Sequence, residues 1–220
     1  MRKRLIITID GPSGAGKSTV ARRLARRIGY RYLDTGAMYR AVAYAYASKP
    51  DDLDLQTFLE SLALVFSFDD EAKVFLDGED ISTHIRSPEM SLAASRLSQE
   101  AAVREYCTAL QRRLGEAGGV VVEGRDTGSV VFPGAHRKFF LDADVTERAR
   151  RRHEEVVASK TGKGESLAKV QAEMEKRDRD DSSRSLAPLL KPEDAIYVDT
   201  TFMGIDEVVD LLIEAIEKGP

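Results

Sequence analysis

Cysteine occurs once in this chain, as Cys107, and histidine three times, as His84, His136 and His153. A single cysteine excludes an internal disulfide and a cysteine-rich metal centre, and it fits a reducing compartment. The three histidines are scattered, with no spacing that suits a histidine metal site. No apolar run approaches the roughly 18 residues of a membrane span. The apolar run near the N-terminus is cut short by Asp10 and Gly11. It does not read as a secretory h-region, and a cytoplasmic location is expected. An excess of basic residues is also missing: the net charge is −4, which argues against bulk binding of nucleic acid. Hydrophobic content of 42% and charged content of 32% are those of an ordinary soluble globular chain, long enough for one full core.

The strongest feature present is the stretch from Leu5 to Thr19. An apolar, β-branched run from Leu5 to Ile9 stops at Asp10 and is followed by Gly11-Pro12-Ser13-Gly14-Ala15-Gly16-Lys17-Ser18-Thr19. This is a P-loop in its expected context, strand before and helix after. Its glycines let the backbone wrap a phosphate with N–H groups turned inward, and the positive end of the next helix adds to the attraction. Lys17 can reach β- and γ-phosphates, and the Ser18 hydroxyl can ligate Mg2+.

Helical and strand periods alternate through the rest of the chain. Val20, Ala21, Leu24, Ala25 and Ile28 recur at helical spacing, with Arg22, Arg23, Arg26 and Arg27 on the other face. Apolar strand candidates occur at 5–9, 31–33, 120–122, 138–141 and 195–198, with helical patterns between them. The fold class expected is α/β, a parallel five-stranded sheet flanked by helices. Residues 62–92 break the alternation. Phe66, Phe68, Val74 and Leu76 read as short strands, and Asp77-Gly78 as a hairpin turn, so an inserted antiparallel subdomain is expected there. Asp144 opens an arginine-rich helix, residues 161–165 read as a flexible loop, and Leu167 to Ser183 as a long polar helix.

Ligands in parallel sheets bind at the carboxyl ends of the strands. Several charged residues lie at or soon after strand ends: Asp10, Asp34, then Arg40 a few residues later at the start of a helix, and Arg125-Asp126 after a buried valine run and a glycine. Arg177, Asp181 and Arg184 are spaced to share one helix face, and so are Arg148 and Arg152. Arginine's planar fork matches phosphate, so this distribution suits a second phosphate opposite the P-loop. No Asn-Lys-x-Asp motif for guanine is present.

These segments together resemble the bacterial cytidylate kinases, a family of nucleoside monophosphate kinases. The resemblance is carried by Ile9 to Thr19, Asp34-Thr35-Gly36-Ala37-Met38-Tyr39-Arg40, Leu76-Asp77-Gly78-Glu79-Asp80, Gly124-Arg125-Asp126-Thr127-Gly128, Val131-Phe132-Pro133, Lys138 to Asp142 and Arg184 to Leu189. It implies one P-loop kinase domain over 1–220, a monophosphate-binding insertion at 62–92 and a helical lid at 150–170. It implies ATP as donor, CMP or dCMP as acceptor, and Mg2+; Ser18 would hold the metal, with Asp34 completing the shell directly or through water and Asp10 the weaker candidate for that place. It further implies that Thr35, Arg40, Arg125 and Arg184 hold the acceptor phosphate, with Tyr39 in the same substrate-binding segment. Ser95, Arg104 and Asp126 would read cytosine, Arg177 and Asp181 would hold the sugar, and Arg148 and Arg152 would belong to the lid. Glu123 stands where many relatives carry Asp.

The acceptor phosphate is already anionic at neutral pH, so transfer needs no general base. Alignment and neutralisation by Lys17, Mg2+ and the arginines are enough. The residues themselves leave open a preference for UMP or AMP, a non-nucleotide acceptor, or a nucleotide-gated binding protein without transfer activity. Monomer is the default expectation.

Overall fold

The computed structural model describes residues 4–49, 52–68, 73–158 and 166–218. Its central sheet has five parallel strands: β1 (Ile6–Asp10), β2 (Arg31–Asp34), β6 (Val120–Glu123), β7 (Arg137–Asp142) and β8 (Ile196–Asp199). They lie in the order β2-β6-β1-β7-β8. Register sets Ile7 of β1 between Val121 of β6 and Arg137 of β7. Ile7, Ile9, Val120, Val121, Val122 and Leu141 are fully buried. That explains why these strands read as continuous apolar runs: a parallel sheet is covered on both faces.

Helix α1 (Lys17–Ile28) follows the P-loop and ends at Gly29, whose φ of 71° is the left-handed conformation that suits a glycine stop. It buries Val20, Ala21, Leu24 and Ala25. On its outer face Arg23 and Arg27 pair with Asp206 and Asp210 of the last helix, α8 (Ile205–Glu217). These exposed pairs contribute little to stability. Two further helices, α6 (Val145–Ala158) and α7 (Leu167–Ser183), form an antiparallel pair around Ala149, Val170 and Met174. The expected lid at 150–170 falls on them, and its loop at 161–165 lies outside the described residues.

The chain divides into two compact units, Met1–Tyr32 with Ala117–Pro220, and Leu33–Glu116. The second contains the remaining helices: α2 (Thr35–Ala47), α3 (Leu55–Ser61), α4 (Pro88–Leu97) and α5 (Ala101–Gly115). It also holds an antiparallel sheet of β3 (Leu64–Ser67), β4 (Lys73–Leu76) and β5 (Glu79–Asp80). The Asp77-Gly78 turn joins the last two strands, with both residues at positive φ. Asp34, Asp54 and Ser87 cap three of these helices through their side chains. Cys107 is fully buried beside Val42, Phe58 and Val103, where it serves as a small apolar filler.

Candidate active site

In the first unit the site begins with Gly11. Its φ is 145°, and a Cβ there would sit 1.9 Å from the carbonyl oxygen of Leu141. Only glycine lets β1 leave the sheet so close to β7. The loop then carries Gly14 and Gly16 at positive φ and delivers Lys17 to the start of α1. Lys17 is buried, and its Nζ donates to the carbonyl of Pro12 at 2.6 Å. Burial pulls its pKa down to about 7, and the nearby positive charges of Arg125 and Arg177 add to this; Glu123 and Asp178 oppose it.

The side chain of Ser18 donates to Glu123 Oε1 at 2.8 Å, and the hydroxyl of Tyr32 donates to the same oxygen at 3.2 Å. Glu123 is therefore the carboxylate beside the Ser18 hydroxyl in this unit. Asp34 is engaged in the second unit, where Oδ1 accepts from the Ala37 amide at 2.8 Å and Oδ2 accepts from Arg40 at 3.1 Å. A helix cap and an ion pair thus occupy both oxygens of the residue expected to hold a metal through water. Asp10, the weaker candidate for that shell, is also fully employed. It accepts from the Thr127 amide (2.9 Å), the Thr127 hydroxyl (2.8 Å) and the Gly128 amide (2.7 Å). Burial raises its pKa despite these bonds.

Those bonds hold a one-turn π-helical segment, Thr127–Val131, that the sequence pattern does not reveal. The segment fixes the preceding Arg125 and Asp126 at the end of β6. Arg125 Nε donates to Asp181 Oδ2 at 2.9 Å. Burial works against the charge of Arg125, but Asp181 and Glu123 outweigh it and its pKa ends above the ordinary arginine value. Asp181 is likewise buried, and Arg125, Arg177 and Arg184 hold its pKa below the usual carboxylate value. Arg184 lies 3.5 Å from Asp181 and 3.6 Å from Asp126, and its Nε donates to the carbonyl of Ala187 at 2.6 Å. The structure thus gathers Lys17, Arg125, Asp126, Asp181 and Arg184 into one connected charged network, with Arg177 close enough to act on Lys17 and Asp181.

The arginines of α6 separate. Arg148 is buried and donates to the carbonyl of Ser13 at 2.9 Å and to Asp178. Asp178 Oδ1 also accepts from the backbone amide of Ser13 at 3.0 Å. Arg152, expected beside Arg148, pairs instead with Glu155 of its own helix at 3.1 Å. The sequence reading missed Asp178, which is one of several acids in a polar helix.

In the second unit, Thr35 is buried at the first position of α2. Arg104 of α5 is buried over the ring of Tyr39, 5.7 Å from its centroid, and donates to the Tyr39 hydroxyl at 3.4 Å. Ser95 is partly buried on α4, and its carbonyl accepts from the Ser98 hydroxyl.

The family model for cytidylate kinase matches residues 7–218. Among curated proteins, the cytidylate kinase of Syntrophotalea carbinolica is 48% identical over 99% of this chain and 94% of its own length. That of a Geobacillus species is 45% identical over 99% of both. Among solved structures, the shikimate kinase of Bacteroides thetaiotaomicron superposes with a TM-score of 0.52 at 13% identity, covering 97% of this chain and 98% of that one. That likeness shows the fold: a parallel-sheet P-loop kinase. No helix among the described residues is long and apolar enough to cross a membrane. Matched from the first strand of its sheet to its last helix, with a phosphate loop and an arginine-rich network in place, the chain belongs to the cytidylate kinase family.

Proposed function

We infer that the chain transfers the γ-phosphoryl group of ATP to CMP or dCMP, giving ADP and the corresponding diphosphate, in the cytoplasm. The observation that carries this is the crowding of Lys17, Arg125 and Arg177 near one another beside the phosphate loop. For Lys17 such crowding, added to burial, disfavours the charge without a ligand. It becomes favourable when polyanions enter, and it neutralises charge on the group in transfer.

Gly11 to Thr19 hold the donor phosphates, and Lys17 carries its proton once they are bound. Arg125 and Arg184 take the acceptor phosphate, and Arg148 steadies the transferred group; the family resemblance assigns Thr35 and Arg40, which belong to the second unit, to phosphate as well. Asp126 accepts from the cytosine amino group; within the second unit, Ser95 and Arg104, the latter held against Tyr39, are the positions that the family resemblance assigns to the base. Arg177 and Asp181 hold the sugar. An acceptor lacking these matching groups leaves buried polar atoms unpaired, which is the basis of base discrimination.

The donor set also fits Mg2+. Ser18 and Glu123 offer hard oxygens side by side, and that ion is usually held by one or two protein oxygens plus phosphates and water. When bound, it supplies charge neutralisation at the donor phosphates. Ser18 and Glu123 would hold it, with Glu123 in the role expected of Asp34.

The test is ADP release in the presence of ATP with CMP, dCMP, UMP and AMP as separate acceptors. Release with CMP and dCMP well above the others is expected. Release with UMP or AMP alone, or with none, overturns the reading.

A further inference from the structure

Asp178 has no part in the transfer described above, yet it occupies the donor side of the site. Its two oxygens divide the work: Oδ1 accepts from the amide of Ser13 at 3.0 Å, and Oδ2 accepts from Arg148. Arg148 in turn donates to the carbonyl of Ser13. The carboxylate and the guanidinium thus clamp both backbone groups of one P-loop residue. Beside them the helix pair presses on the loop's crest. A methyl group at Gly14 would come within 2.7 Å of Met174 Cε and 2.8 Å of the Arg148 carbonyl oxygen. Asp178 is only slightly exposed, at 16% of its side chain, and Arg148 at 10%. The negative charge of Asp178 also acts on Lys17 and Arg125.

A loop amide and an arginine are the donors a polyphosphate seeks. Here one carboxylate holds both. We propose that Asp178 is a positioning residue that acts as a latch, its carboxylate standing in for a donor phosphate oxygen at Ser13 and Arg148 and yielding both to the incoming nucleotide. The latch keeps the phosphate loop and Arg148 ordered in the ligand-free enzyme. It also opposes nucleotide binding, by competition and by like-charge repulsion. This inference rests on ATP being the donor.

The experiment is calorimetric titration of ADP into the wild-type chain and into Asp178→Asn, with kcat and KM for ATP measured alongside. The latch requires ADP to bind the variant about tenfold more tightly, the worth of one charge-assisted contact no longer displaced, while kcat falls because Arg148 loses its carboxylate. A purely structural role would weaken binding and lower kcat together. Unchanged or weaker ADP binding in the variant overturns the latch. Failure of the wild-type chain to bind ADP overturns the donor assignment instead. Hydrogen exchange on the wild-type chain gives a second readout that needs no variant. Saturating ADP should slow exchange across 11–19 and speed it across 174–183. Slowing in both segments would mean the contact stays shut, and would reject the proposal.

Discussion

Ser18 Oγ and Glu123 Oε1 lie 2.8 Å apart, joining the first turn of α1 to the last residue of β6. A hydroxyl and a carboxylate so placed can share one hard cation between them, the hydroxyl ligating directly and the carboxylate directly or through water. Glu123→Gln keeps the shape and removes the charge. Its magnesium requirement for turnover should rise at least tenfold, the usual cost of losing a supporting partner, with metal-free ADP binding within about twofold of wild type. Activity titrated against Mg2+ measures this. An unchanged magnesium curve would return the role to another carboxylate.

Lys17 gives the enzyme a pH signature with a definite sign. Without nucleotide, burial and the neighbouring arginines bring its pKa to about 7. Bound phosphates favour the charged form, so the complex keeps the proton to higher pH. Above pH 7 binding must therefore take up a proton, and affinity falls as pH rises, by up to about tenfold per pH unit. Below pH 7 this contribution is flat. Calorimetry of ADP binding from pH 6 to 9, repeated in buffers of different ionisation enthalpy, should show proton uptake only in the upper range. Lys17→Ala should lose that uptake and most of the turnover.

The buried pair of Arg125 and Asp181 separates binding from stability. Asp181 is the shared partner of Arg125 and Arg184, so Asp181→Ala leaves two largely buried guanidinium groups without it. Loss of one member of such a pair typically costs about 3–5 kcal/mol, and a lower Tm is expected. Arg125→Ala should cost less stability in the presence of Arg177 and Arg184. It should raise the KM for CMP more than the KM for ATP and lower kcat. Equal effects on both KM values would detach Arg125 from the acceptor.

These features were not equally legible in the sequence. The P-loop and Arg125-Asp126 stand out because buried valine or isoleucine runs end directly before them, and the parallel-sheet rule says where to look. Asp34 is ambiguous for a physical reason. A carboxylate just after a strand and before a helix is equally suited to a metal and to a helix cap, and here it accepts from the Ala37 amide. Asp178 left no signal, because it lies in a helix that is charged almost throughout and its partner Ser13 is 165 residues away. The π-helical segment at Thr127–Val131 was hidden for a similar reason. It is held by Asp10, 117 residues earlier, rather than by any local pattern.

Gly11 makes the sharpest demand on the backbone. Its φ of 145° and the 1.9 Å approach of a Cβ to the Leu141 carbonyl oxygen both exclude a side chain. The neighbour is backbone in the middle of the sheet, so it cannot swing aside as a side chain would. Gly11→Ala must therefore push β1 away from β7 or distort the loop that follows. A loss of more than about 3 kcal/mol is expected, as for strain combined with overpacking. Gly16 provides the contrast: it also has positive φ, but nothing lies within 4 Å of a Cβ there. Gly16→Ala should then cost only the backbone strain of about 1–2 kcal/mol, with nucleotide binding weakened and the fold retained. Thermal melts of the two variants with and without ADP separate the cases. Gly16→Ala should melt cooperatively and respond weakly to ADP, whereas Gly11→Ala should show neither a wild-type melt nor a response.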